Sequence, residues 1–145
     1  MREISASEVY RLEECLQALA EHHNEVSTNL KGSYPSRPYE VTLRLFEEAL
    51  EGQNSHIAVA EEEGRIAGFC KVDIHGAKGE LDYLVVLKEY QGKGYGKALM
   101  DWAMNSFDRY GAHHVEVKVI AGNETIHLYE KYGFQMAAHI LVNNR

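Results

Sequence analysis

The sequence predicts a mixed α/β fold, in which helices cover both faces of one central sheet. Segments with helical periodicity alternate along the chain with strand-like runs. The longest helical pattern follows directly after a strand and a glycine-rich loop. No internal repeat or proline-rich linker interrupts the 145 residues, of which 45% are hydrophobic and only two are proline. We therefore expect a single domain over residues 1–145.

The first quarter of the chain predicts a short strand and a helix. Residues 2–5 are a candidate strand, and the helix runs from roughly 8 to 24. Ser5 lies three residues before Glu8, as in a capping box at a helix N-terminus. The apolar stripe of this helix consists of Val9, Leu12, Leu16, Leu19 and Ala20.

A loop and a second helix come next. Both prolines lie in the stretch 33–39, where they disfavour helix. The following helix ends at Gly52, a typical C-terminal stop. Its inward positions are Leu43, Phe46 and Leu50.

Three strand-like runs occupy the middle of the chain. Residues 56–60 and 66–74 are separated by a charged turn at 61–65, which indicates a hairpin. The run 80–87 alternates at first and then becomes apolar on both faces, as is typical of a strand covered on two sides.

The strongest helix prediction begins at Tyr95 and ends at Gly111. Residues 114–120 then alternate as a strand. Asn123 can cap a short helix that ends before a last strand at 134–142. The inward stripe of the long helix consists of Tyr95, Ala98, Leu99, Trp102, Ala103, Phe107 and Tyr110.

Composition excludes several classes of function. With 15 Lys and Arg against 22 Asp and Glu, the net charge is −7, so a nucleic-acid partner is not expected. No run of 18 apolar residues and no apolar leader occur, so no membrane partner is expected either. Cys15 and Cys70 lie far apart without metal-binding spacing, which fits core residues in a reducing cytoplasm.

The segment Gln91–Lys97 carries the chemistry. It has glycines at alternate positions between a strand and the strongest helix. Such a loop directs backbone N–H groups into one space, where the helix dipole adds positive charge, and this predicts a phosphate site. Lys93 and Lys97 could add charge.

Other phosphate-binding loops have a different spacing. A Walker A loop needs Ser or Thr where Ala98 stands, so it is excluded. A dinucleotide-binding fingerprint needs its third glycine one residue later than Gly96, and Glu116 lies within a strand rather than at its end. A plain tight turn would need one glycine rather than three, and no polar Gln91.

The remaining pattern, Q-x-x-G-x-G at Gln91, Gly94 and Gly96, resembles the coenzyme A loop of the GNAT superfamily of acetyl-CoA-dependent N-acyltransferases. A second block, Asn123 and the run LYEKYGF at 128–134, is similar to another block of that family. The resemblance implies the GNAT fold, a mixed sheet of six to seven strands flanked by about four helices. Since only 11 residues follow Phe134, the seventh strand should be missing or merged with the sixth.

The resemblance also implies how acetyl-CoA, the cosubstrate, would be held. Backbone N–H groups of the glycine-rich loop would bind the pyrophosphate, the preceding strand would pair with the pantetheine arm, and Asn123 would hydrogen-bond that arm. The loop residues are Gln91, Gly92, Lys93, Gly94, Tyr95, Gly96 and Lys97, and the strand residues are Leu84, Val85 and Val86.

Two catalytic roles follow from the same resemblance. Tyr129 would donate a proton to the leaving thiolate, although Tyr129 could instead be a core aromatic residue. Asn123, likewise, could be a plain helix cap rather than a ligand of the pantetheine arm. Glu80 lines up with the base carboxylate of histone-type members, and Asp82, His75 or a water molecule are alternatives. No metal is expected, because the adjacent histidine pairs lack metal-binding spacing.

The acceptor is predicted to be a primary amine, bound by residues 31–39 and nearby strand ends. Carboxylates there suit a small cationic amine, whereas Arg37 could bind an acceptor carboxylate. A protein Nα- or lysine acetyltransferase and a non-catalytic acyl-CoA-binding module remain alternatives, and a homodimer is possible.

Overall fold

The computed structural model describes residues 1–145 and contains one five-stranded sheet in the order β1-β2-β3-β4-β5. The first four strands are antiparallel to their neighbours, whereas β5 runs parallel to β4. The predicted mixed α/β class is confirmed. The strands are β1 (Arg2–Glu3), β2 (Ser55–Glu62), β3 (Arg65–His75), β4 (Lys78–Val86) and β5 (His114–Val117).

Four α-helices cover the two faces of the sheet. They are α1 (Glu13–Val26), α2 (Tyr39–Glu51), α3 (Tyr95–Tyr110) and α4 (Ile126–Lys131). Consecutive strand residues face opposite sides, so Phe69 packs in the cluster with α1 and α2, and Cys70 packs in the cluster with α3 and α4. None of the helices has the length and apolar character needed to cross a membrane.

The long helix α3 forms as its sequence pattern predicts. Leu99, Ala103 and Phe107 of the predicted face are buried against the sheet, and so is Met100, which the predicted stripe did not include. Gly111 ends the helix in the left-handed region, at φ 77°, and its N–H donates to the Phe107 and Asp108 carbonyls.

The first helix departs from its prediction. Residues 6–12 form a 3₁₀ segment, and α1 begins only at Glu13. The capping box is wrong, because Ser5 makes no side-chain cap and the Glu8 carboxylate instead accepts hydrogen bonds from Arg2 and Arg11.

The C-terminal part of the sheet is smaller than predicted. β5 ends at Val117, and the strand expected at 134–142 does not form, so the sheet has five strands rather than six to seven. The Phe134 ring packs on Tyr129 of α4, 5.9 Å between centroids, rather than extending from the sheet. A further strand would find only the four residues of β5 to pair with, and Ile140 and Leu141 remain exposed.

Candidate active site

A cleft opens where β4 and β5 separate. Their parallel pairing ends at Leu81 opposite Val117, but β4 continues to Val86. The segment 82–86 therefore has no neighbouring strand on its β5 side. This free edge leaves backbone groups available to an extended ligand.

A β-bulge lies at the origin of this cleft. Lys71 of β3 pairs with Tyr83, and Val72 pairs with Leu81, so Asp82 is an extra residue in β4. Bulges of this kind change the direction of a side chain next to the irregularity. Here the bulge lies beside the charged side chains of Lys71, Asp73 and Asp82, on the face of the sheet that α1 and α2 cover.

The cleft continues into a cavity of about 1070 Å³, which is large enough for a cofactor arm and a small second substrate. Residues of both predicted blocks contribute to its lining, so the fold brings the two blocks together. The predicted residues that line it are Leu84, Val85, Val86, Gln91, Gly96, Asn123 and Tyr129. The lining does not include Gly92, Lys93, Gly94, Tyr95, Lys97 or Glu80.

The glycine-rich loop has backbone N–H groups that are free of protein partners. The first intrahelical bond of α3 runs from the Ala98 N–H to the Gly94 carbonyl, and the N–H groups of residues 92–97 donate to no protein acceptor. The Gln91 amide donates to the Val86 carbonyl at 3.1 Å and ties the loop to the end of β4. The loop therefore presents backbone donors of the kind that bind anions at helix N-termini.

Gly94 and Gly96 serve different purposes. Gly94 lies in the left-handed region, φ 87°, which starts the helix at a sharp turn. Gly96 has no positive φ, and a Cβ built on it would lie 3.9 Å from Val86, an ordinary contact. Neither backbone nor packing requires glycine there, so the space above Gly96 suits a ligand in close contact with the backbone.

The two loop lysines are already paired. Lys93 donates to Glu62 at 3.0 Å, and Lys97 donates to Asp101 at 2.7 Å. The charge that the sequence suggested they would add to the loop is thus offset by these carboxylates. Lys88 lines the cavity and has no ion pair, and sequence reasoning missed it.

Tyr129 places a hydroxyl at the cavity from a buried ring. Its side chain is 7% exposed in the α3 and α4 cluster, and the hydroxyl makes no hydrogen bond within the protein. Burial raises the pKa of Tyr129 well above its ordinary value, so the phenol keeps its proton at neutral pH. A neutral donor without a partner is thereby available to a bound ligand.

Asn123 uses one end of its amide within the protein. Its Oδ1 accepts hydrogen bonds from the Thr125 N–H and hydroxyl at 3.1 and 2.7 Å, before α4. His22 of α1 approaches the same oxygen at 3.4 Å. These bonds form a turn before α4, but the N-cap of that helix is Thr125 without a side-chain cap, so the predicted capping by Asn123 is wrong. The Nδ2 group of Asn123 makes no hydrogen bond within the protein and remains available to a ligand.

A charged cluster occupies the α1 and α2 side of the cleft. The Lys71 ammonium, 4% exposed, donates to Asp73 at 2.7 Å and to Asp82 at 2.7 Å. Ser55 donates to Asp73 at 2.5 Å. Burial raises the pKa of the Asp82 carboxyl, Asp73 adds to this effect, and Lys71 opposes it. Only Oδ2 of Asp82 is engaged by Lys71.

The other base candidates lie outside the cavity lining. Glu80 pairs across the sheet with Asp73 and Glu116, and burial followed by the charge of Asp82 raises its pKa. His75 is exposed at the end of β3. Of the carboxylates proposed from sequence as base, only Asp82 faces the cavity.

Arg37 lies at the same end of the cavity. Its Nε donates to the Thr42 hydroxyl at 2.8 Å, and Thr42 is 5% exposed. No carboxylate lies within 4 Å of its guanidinium. Burial and Asp82 raise the pKa of Tyr83, whereas Arg37 opposes them, so both charges lie near that phenol.

No group of three His, Cys, Asp or Glu side chains is placed to hold a metal.

Comparison with known proteins identifies the family. The sequence model of the Acetyltransferase (GNAT) family matches residues 16–134, which include both predicted blocks and the cavity between them. The chain belongs to the GNAT acetyltransferase family. Its predicted GNAT fold is also confirmed by solved structures, among them PaiA N-acetyltransferase from Thermoplasma acidophilum, in complex with coenzyme A. That structure superposes with a TM-score of 0.74 at 20% identity, covering 94% of this chain and 89% of the other.

Two relatives show how varied GNAT acceptors are. Spermidine N(1)-acetyltransferase of Vibrio cholerae is 25% identical over 132 residues, 83% of this chain and 74% of that protein. A protein of Bacillus subtilis named as a ribosomal protein bS18 alanine N-acetyltransferase is 28% identical over 92 residues, 63% of this chain. The chain spans 61% of the length of that protein.

Proposed function

We propose that this GNAT protein transfers an acetyl group from acetyl-CoA to a primary amine of a small molecule. One observation carries the proposal. The free edge of β4, the free N–H group of Gly96 and the Tyr129 hydroxyl all border one cavity, and the other free N–H groups of residues 92–97 belong to the same loop as Gly96. These are the donors that a pantetheine arm, a pyrophosphate and a leaving thiolate need.

The contact between two loops favours a small acceptor over a protein. The Thr28 N–H donates to the Ala121 carbonyl at 3.0 Å, which joins the end of α1 to the loop before α4. Gly122 packs so closely there that a Cβ would lie 2.1 Å from the Val26 carbonyl oxygen. A polypeptide acceptor needs an open groove, and this junction ties two parts of the cavity wall together, since Val26 and Gly122 both line it.

The chain's own residues would divide the chemistry between them. Acetyl-CoA supplies the activated acetyl group. Residues 92–97 would hold the pyrophosphate, and a backbone N–H of the segment 82–86 would donate to the thioester oxygen, where negative charge develops. Asp82 would take the proton that the amine loses as its C–N bond forms. Tyr129 would give its proton to the thiolate as the C–S bond breaks.

Acetyl-CoA is expected to raise the melting temperature by about 5–10 °C at 100 times its Kd, because it binds only the folded state. Differential scanning fluorimetry measures this shift. In Gly96→Val the shift should vanish while the unliganded melting temperature is kept, since the added side chain fills ligand space rather than protein space. The absence of any shift at saturating acetyl-CoA would contradict the cosubstrate proposal.

Asp82→Asn is expected to lower kcat by about 10²- to 10⁴-fold, the usual contribution of a general base. Glu80→Gln should have a much smaller effect, because its carboxylate does not line the cavity. Since the pKa of Asp82 is raised, kcat/KM of the wild type should fall, as pH decreases, at a higher pH than an ordinary Asp would give.

Steady-state kinetics on the two variants separate the candidates. A large loss of kcat in Glu80→Gln with full activity in Asp82→Asn would show that Glu80, and not Asp82, is the general base. Activity on peptides alone would favour a protein acetyltransferase. Binding of acetyl-CoA without turnover of any amine would favour a non-catalytic module.

A further inference from the structure

The acceptor end of the cavity contains one cation and one anion that are held in place separately. Arg37 is fixed through its Nε by the buried Thr42 hydroxyl, and the Tyr83 phenol lies beside its guanidinium, which has no carboxylate partner. Asp82 is fixed through Oδ2 by the buried Lys71 ammonium, so Oδ1 remains. Each side chain has a partner that orients it, and each has unused hydrogen-bonding atoms.

Arg37 belongs to the acceptor end rather than to the phosphate site. Tyr83 lies beside Arg37 and directly after Asp82, whereas the glycine-rich loop is tied to Val86. A strand rises about 3.3 Å per residue, so these points are about 10 Å apart along β4. Lys88 and the free backbone N–H groups lie at the phosphate end.

We propose that the acceptor is an amino acid or a close derivative, whose carboxylate is bound by Arg37 and whose amino group is received by Asp82. The proposal rests on the acetyltransferase function proposed above. A guanidinium without a carboxylate partner matches a ligand carboxylate in charge and in its planar pair of donors. Lysine in its place would offer a point charge without that geometry.

The same arrangement disfavours a polyamine. A diamine would bring a second ammonium to the end of the site where Arg37 has no carboxylate partner, although Glu21, Glu25 and Glu124 line other parts of the cavity. Two like charges at close range repel each other, which is a common way to reject a competing ligand. We therefore expect this chain to prefer amino acids over diamines of the same length.

Matched acceptors test this directly. Initial rates of CoA release are measured for lysine against cadaverine, phenylalanine against phenethylamine, and methionine against 3-(methylthio)propylamine. The panel also includes the other common amino acids, two ω-amino acids and short peptides. At least one amino acid should exceed its decarboxylated counterpart in kcat/KM by about 10- to 100-fold, the range for a lost charge-assisted hydrogen bond.

Two arginine variants test whether Arg37 causes the preference for amino acids. Arg37→Gln should raise KM for the preferred amino acid by about 10- to 100-fold and should not raise KM for its decarboxylated counterpart. Arg44→Gln is the matched control, because Arg44 is exposed on α2 outside the cavity and should change nothing. Both variants should keep the thermal shift with acetyl-CoA, which shows that they fold and bind the cosubstrate.

Several outcomes overturn the inference while the proposed function stands. They are equal rates for amino acids and their decarboxylated counterparts, unchanged kinetics in Arg37→Gln, and turnover confined to diamines or peptides. Failure of every amino acid in a protein that still shows the acetyl-CoA shift also overturns it. Loss of that shift in the wild type would instead overturn the proposed function.

Discussion

Tyr129→Phe is expected to lower turnover by about 10²- to 10⁴-fold while the Kd for acetyl-CoA stays unchanged. The hydroxyl reaches the cavity without a protein partner, so the substitution removes only a proton donor. The ring keeps its packing on Phe134, and the melting temperature should be preserved. Single-turnover measurements isolate the chemical step from product release.

The raised pKa of Tyr129 is compatible with this role. Burial raises it by penalising the phenolate, and a thiolate released into the same cavity is penalised in the same way and becomes a stronger base. The proton can therefore pass between two groups that share one environment. A free phenol in water would not have this match.

Tyr132→Phe provides the matched control. Tyr132 lies one helical turn away, outside the cavity, and its hydroxyl donates to Asp101 at 3.0 Å. The same atom is removed, but turnover should remain within about twofold of the wild type, as for a substitution outside the reacting groups. If both variants retain full turnover, another group protonates the thiolate and the assignment of Tyr129 is wrong.

Much of the fold could be predicted because its signals are local. The apolar stripe of α3 and the stop at Gly111 lie within one segment, and the structure reproduces its bounds, Tyr95–Tyr110. The strand expected at 134–142 failed for the opposite reason. A strand exists only if a partner edge accepts it, and β5 offers just four residues. The homodimer and the cytoplasmic location stay predictions.

The same distinction applies to the site. The glycine-rich loop is contiguous with β4 and α3, so its free backbone N–H groups at the start of α3 could be predicted from spacing alone. The pairing of Lys97 with Asp101 could also be predicted from the sequence, because the two residues are four apart on a helix. The pairing of Lys93 with Glu62 joins distant segments and left no local signal.

The placement of Asp82 depends on a feature that the sequence does not show. Its direction follows from the bulge opposite Lys71, and its partners come from the neighbouring strand. Strand alternation placed Asp82 and Glu80 on one face but could not separate them. Only the three-dimensional pairing shows which of the two carboxylates faces the cavity.

Lys71→Met is expected to lower the free energy of unfolding by about 3 kcal/mol at neutral pH. Breaking a buried ion pair typically costs about 3–5 kcal/mol, and the lower end applies here because the side chains of Asp73 and Asp82 are 16% and 28% exposed. Methionine keeps the packing of the stem, so the loss measures the charge. Urea unfolding followed by circular dichroism gives the value.

Lys97→Met is the control, since Lys97 and Asp101 are also 2.7 Å apart but 76% and 44% exposed. An exposed pair of this kind contributes no more than about 0.5 kcal/mol. A similar loss in both variants would show that burial does not determine how much the Lys71 cluster contributes to the free energy of unfolding.

Adding Asp73→Asn and Asp82→Asn to Lys71→Met should recover much of the stability, because no unpaired charge then remains.

The pH dependence of the Lys71→Met loss follows from the carboxylates left behind. Burial lowers the pKa of Lys71, but its hydrogen bonds to Asp73 and Asp82 outweigh this and raise it, so the wild-type cation persists at neutral pH. Without that cation, the already raised pKa of Asp82 rises further, and the folded variant binds protons more tightly than the unfolded chain. Its stability is therefore fully recovered below the pKa of the unfolded chain and is lost as pH rises through the raised pKa of the folded state. The difference from wild type should shrink as pH falls through the acid range, and a constant difference would mean that lost packing, not unpaired charge, destabilises the variant.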